Sequence, residues 1–215
     1  MDIPQILISL FVVLFAITIH EASHGWAAYK MGDPTAYAMG RVTLNPIAHI
    51  DPVGTILLPL ILVVMGAPPF GWAKPVPVNP MNLRDPRRDN LIISAAGPLS
   101  NFSVAFIALL GIKLFKIINP TFFYTYRGLS GPAQGIFMIL YLTVIINVIL
   151  AVFNLIPIPP LDGSGVLMGL ISDEAAEKYD QIRPYGFFIL LVLIMTGFIG
   201  KILGVIMNFV NIFIF

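Results

Sequence analysis

Residues 3–30 read IPQILISLFVVLFAITIHEASHGWAAYK, and the fold turns on how this stretch is taken. Its first part, Ile3 to Ile19, carries no charge, and no proline interrupts it between Pro4 and Lys30. About 20 helical residues cross roughly 30 Å of hydrocarbon. A helix from Ile3 to about Lys30 is therefore a membrane span, with His20, Glu21 and His24 near one end. His20 lies about 21 Å along the helix from Ile6, still inside the apolar layer. Three ionisable groups at that depth are costly and need compensation. No Lys or Arg precedes the run and no small-residue cleavage site follows, so a retained helix is expected rather than a signal peptide.

The rest of the chain has the same character. Of 215 residues 58% are apolar and 11% charged, against about 25% charged in soluble domains. The net charge of +1 and the lack of a basic patch interleaved with aromatics exclude nucleic acid as a partner. Cysteine is absent, which removes disulfides and thiolate metal sites. Any bound metal must be held by imidazole nitrogen and carboxylate oxygen.

Four further apolar stretches follow. Leu91–Ile112, Gly128–Leu161 and Tyr185–Phe215 are each long enough to span. Val53–Ala73 is broken by Pro59, Gly66, Pro68 and Pro69, and its clean part to Met65 is short, which predicts a re-entrant or interfacial hairpin buried against protein. The segment KPVPVNP (74–80) alternates proline with valine and should be extended, an interfacial loop or a strip on which a substrate strand pairs. With 53–73 it has the features of a gate over the site. Lys74, Arg84, Arg87 and Arg88 place 74–90 on the cytoplasmic side by the positive-inside rule. Phe122, Phe123, Tyr124 and Tyr126 suit a membrane interface. The expected fold is an all-α membrane protein, a polytopic helical bundle of about four to six segments with a re-entrant hairpin and small extended elements. Residues 1–215 read as a single membrane-embedded domain with no attached soluble one.

His20-Glu21-Ala22-Ser23-His24 is an H-E-x-x-H. Positions i and i+4 share a helix face, so both imidazoles converge on one metal ion. Glu21, beside them, is placed for a water at the metal rather than for the metal itself. Zinc lowers the pKa of such a water towards neutrality and a carboxylate then takes its proton. With only three His and three Glu in the chain, an accidental match is rare. A structural His–Glu contact or a proton relay is the bland reading.

A catalytic zinc site needs a third protein ligand and an open position. Asp162, in NLIPIPPLDG (154–163), follows helix-breaking prolines at the start of a short helix expected over 162–171, where the dipole favours its charged form. Taken by itself, a plain N-cap is the commoner reading of an Asp-Gly after prolines. His49, in NPIAHIDP (45–52), is the alternative metal ligand.

HEASH at 20–24, Gly97-Pro98-Leu-Ser-Asn101 and Asn154 through Asp162-Gly163 together resemble the site-2 protease family of intramembrane metalloproteases, in its compact branch lacking PDZ or CBS domains. The resemblance covers nearly the whole chain. It implies one zinc per chain on His20, His24 and Asp162, Glu21 as general base, and transmembrane helices of other proteins as substrates. Where the family often has Asn-Pro-Asp-Gly, this chain has Pro-Pro-Leu-Asp-Gly, with the Asp in place.

Asn101 and Asn154 are side-chain amides in apolar helices, and each needs a partner. Either is a candidate for binding an oxyanion or an unwound substrate backbone, or for interhelical glue. Gly97 and Pro98 are read as close-packing residues. The expectation is an integral cell-membrane protein that cleaves substrates within or near the bilayer, its site facing the cytoplasm. The alternative is a non-hydrolytic metal transporter. That would distribute ligands along a path, whereas this sequence concentrates them at one level.

Overall fold

The computed structural model describes residues 3–66, 71–118 and 131–215. Among the described residues three helices are long and apolar enough to cross a membrane: α1 (Ile3–Met31), α4 (Pro86–Ile118) and α5 (Pro132–Asn154). The shorter α2 (Thr35–Ala38) and α3 (Leu58–Val64) lie between the first two. After α5 come α6 (Asp162–Leu170), α7 (Asp173–Asp180), α8 (Gly186–Met195) and α9 (Phe198–Ile214). The chain is an integral membrane protein, all-α, with no strand among the described residues.

α4 is the centre of the bundle and packs against α1, α5 and α6. Small residues let it do so. Ala105 and Ala108 of α4 join Ile112, Phe137, Val144, Val148 and Ile214 in one buried cluster. Ala27 and Ala28 of α1 meet Leu83 and Ile93 in another. Where lipid is as apolar as leucine, close approach of this kind holds helices together.

The second half of α1 lies beside the first half of α4, because His24 reaches Ile93 and His20 reaches Asn101. The chain between Met31 and Pro86 therefore leaves and returns on one side of the bundle. Within it, Asp51 caps a turn of π-helix over Pro52–Leu57 by accepting from the amides of Val53 and Gly54. Trp72 N donates to Gly54 O at 3.2 Å and Thr55 Oγ1 donates to Trp72 O at 2.9 Å, closing a hairpin as expected. Pro68 and Pro69 lie outside the described residues, as do the aromatic positions 122–126 and Arg127.

The strip from Trp72 to Asn79 carries neither helix nor strand, in keeping with a loop, and it is fastened. Lys74 N donates to His49 O at 2.9 Å, Arg41 Nη2 donates to Lys74 O at 2.6 Å, and Asn79 N donates to Asp33 Oδ2 at 2.7 Å.

The fifth apolar stretch departs from expectation. Read as one span, it is broken: Gly197 adopts φ 73°, and the helical stretches on either side meet at 65°. A left-handed glycine after a helix closes its last turn and redirects the chain. Composition reports that a segment is apolar, not that it is straight.

Candidate metal centre

α1 keeps helical periodicity through HEASH, so His20 and His24 stand one turn apart on the face that meets α4. Both are buried, at 6% and 8% exposed. Their Nε2 atoms lie 3.1 Å apart. α4 comes this close because residue 97 is glycine: a Cβ there would sit on His24 Nε2 and only 2.7 Å from His20 Cε1.

Asp162 arrives from the other side. Pro157, Pro159 and Pro160 prevent α5 from continuing, and a tight turn is closed by Leu161 N donating to Ile158 O at 2.9 Å. Gly163 lets the start of α6 lie on this turn, since a Cβ would stand 2.6 Å from Ile156 O. Leu161, not Asp162, is the N-cap residue of α6. The Asp162 carboxylate is left free to turn inward, with Oδ2 at 3.0 Å from His20 Nε2 and 3.3 Å from His24 Nε2.

The protons decide what these three atoms can hold. Asn101 Nδ2 donates to Asn147 Oδ1 at 2.8 Å and to Ala16 O at 3.2 Å, so its Oδ1 can only accept. It accepts from His20 Nδ1 at 2.6 Å. His24 Nδ1 donates to Ile93 O at 2.7 Å. Neutral imidazole carries one N–H, and in both rings it is spent on the far nitrogen. With both rings neutral, two Nε2 lone pairs and a carboxylate oxygen face one another with no hydrogen between them, and Asp162 Oδ2 is a buried atom without a hydrogen-bond partner. Three acceptors so placed repel unless a cation sits among them. They form the one three-residue group among the described residues able to hold a metal ion. Two imidazoles and a carboxylate, without thiolate, match a zinc site that keeps a position open.

Glu21 is half-buried beside this group, and its Oε2 accepts from Val76 N at 3.0 Å. His49 lies elsewhere: 2% exposed, it donates from Nε2 to Thr43 O at 3.0 Å. Asn101 is completely buried with its donors and acceptor spent, so it has nothing to offer an oxyanion and instead orients His20. Asn154 ends α5, donates to Leu150 O at 3.0 Å and is only half-buried. Asn147 was missed by sequence reasoning. It passes the chain on by donating to Thr143 O at 2.8 Å. The signal that singled out Asn101, an amide in an apolar helix, applied to it equally.

The sequence profile described as peptidase family M50 matches residues 8–197. YwhC of Bacillus subtilis (strain 168), whose name makes it a candidate zinc metalloprotease, is 38% identical over 205 residues, covering 95% of this chain and 86% of that protein. Rip2 of Mycolicibacterium smegmatis, named in the same way, is 29% identical over 191 residues, 87% of this chain and 66% of its own. MJ0392 of Methanocaldococcus jannaschii, named a zinc metalloprotease, is 22% identical over 213 residues, 96% of this chain and 47% of that one. No solved structure matches the chain.

Proposed function

The chain belongs to peptidase family M50, and from that premise we propose that it is a membrane zinc metalloendopeptidase whose substrates are transmembrane helices of other proteins. His20, His24 and Asp162 hold the zinc and Glu21 is the general base. The observation that carries this is the convergence of the His20 and His24 Nε2 atoms, from an apolar span, with a carboxylate oxygen of Asp162 from α6. Bound zinc supplies a Lewis acid that polarises a carbonyl and brings the pKa of a water towards neutrality.

The chain's own groups do the rest. Asn101 and Ile93 O hold the two imidazoles with Nε2 inward. Glu21 takes the proton from the attacking water and can return it to the leaving amine. Asn154, with donor capacity left beyond its bond to Leu150 O, is the amide suited to hold a substrate carbonyl. A substrate helix hides its carbonyls in internal hydrogen bonds, so it must unwind locally before its peptide bond can enter. The positive charges at 74–88 support a site towards the cytoplasmic side of the cell membrane.

The substrate class is tested with protein reconstituted in vesicles and two single-span substrates, alike but for a Gly-Pro pair replacing Leu-Leu in the apolar segment. The helix-broken substrate should be cut faster, with product ends mapping inside the apolar segment. Equal rates, or cuts confined to the soluble flanks, would contradict the reading.

A further inference from the structure

Pro75-Val76-Pro77 contains a single backbone N–H, that of Val76, because proline has none. That one donor points at Glu21 Oε2, 3.0 Å away. The flanking prolines also restrict the backbone: φ is fixed at 75 and 77, and the residue before a proline is pushed to extended conformations.

The strip is held in register from its other side. Arg41 is 6% exposed and donates from Nη2 to Lys74 O at 2.6 Å and to Pro75 O at 3.2 Å. Among the described residues it makes no ion pair, and its Nε is buried without a partner. A guanidinium buried on two carbonyls costs desolvation that a methionine or leucine filling the same space would not incur. Lys74 N donates to His49 O at 2.9 Å, so the peptide units just before Val76 are gripped on both edges. Val76 itself packs towards α1 at Gly25, where an added Cβ would lie 3.2 Å from Val76 Cγ1.

We propose that the Val76 N–H, set in place by Arg41 through Lys74 and Pro75, is the group that positions Glu21 for proton transfer. A glutamate has three side-chain torsions and loses rate when it samples them freely. A charge-assisted bond from a fixed backbone donor selects one geometry and engages one oxygen, leaving Oε1 to face the water. Val76 and Arg41 are positioning residues: neither touches zinc or substrate. The inference rests on Glu21 being the base.

The test compares Val76→Pro, which deletes the N–H and keeps the extended backbone, with Val76→Ala, which keeps the N–H and deletes the side chain. Zinc content, kcat and KM are measured on the full chain in detergent micelles, with Glu21→Gln alongside. Val76→Pro should lose about 10- to 100-fold in kcat, with KM and zinc unchanged, while Val76→Ala stays near wild type. Wild-type kcat in Val76→Pro, or an equal loss in Val76→Ala, overturns the proposal. Active Glu21→Gln would instead overturn the assignment of the base.

If Val76→Pro does not accumulate, Arg41 carries the test. Arg41→Met should lower kcat at constant KM and Arg41→Lys should restore part of it; unchanged kcat in Arg41→Met overturns the proposal. A readout independent of activity is amide exchange at Val76, which should accelerate more than about tenfold in Glu21→Ala if that bond protects it. An unchanged exchange rate counts against the bond.

Discussion

Asn101 Oδ1 stands 2.6 Å from His20 Nδ1, and through that bond a buried amide on α4 decides which nitrogen of His20 faces Asp162. The amide is in turn oriented by Asn147 on α5, so all three spanning helices contribute to one tautomer. Partners of this kind typically contribute 10–100-fold in metal affinity. Asn101→Leu should raise the zinc dissociation constant by about that factor, measured by chelator competition, while the protein still folds. Unchanged affinity would show that the orientation of His20 is set elsewhere.

Gly97 makes a second prediction. A methyl there lands on both imidazoles, and overpacking costs about 1–3 kcal/mol. Expressed as zinc affinity, Gly97→Ala should weaken binding by about 5- to 150-fold. Gly200, where an added Cβ meets nothing within 4 Å, is the control, and Gly200→Ala should leave affinity unaltered.

The third ligand is tested by setting Asp162→Ala against His49→Ala. The first removes a metal-facing oxygen and should strip zinc without unfolding the bundle. The second removes a buried ring and its bond to Thr43 O, so it should cost about 1–3 kcal/mol of stability and retain zinc. Zinc lost from His49→Ala but kept in Asp162→Ala would reverse the assignment.

Much of this site was legible before any coordinates. The i, i+4 spacing of His20 and His24 is local information, and the prolines before Asp162 announce a new helix, found at Asp162–Leu170. What was hidden depends on contacts across the chain. Asn101 and Asn147 are 46 positions apart, and neither position says that the two amides pair. The bond from Val76 to Glu21 joins residues 55 apart. Likewise the bend at Gly197 is a backbone choice that an apolar run does not encode.

Asp33 supplies a pH prediction outside the spans. Burial alone would raise its pKa, but the Asn82 side chain, the Thr35 hydroxyl and the amides of Asn79 and Thr35 hold it below the usual carboxylate range. A depressed native pKa gives stability that is present above the unfolded value, about 3.9, and is lost as pH falls through the native one. Asp33→Asn should lower the melting temperature at pH 7. It should also lose less further stability than wild type between about pH 4 and pH 2. Parallel acid limbs in the two proteins would contradict this.

Whether this chain hydrolyses peptide bonds with Glu21 as the base beside a zinc held by His20, His24 and Asp162 is decided on one preparation of Glu21→Gln, assayed for zinc content and for cleavage of a single-span substrate. About one zinc per chain and no detectable cleavage are expected. Cleavage at the wild-type rate, or loss of the zinc together with the activity, would contradict this.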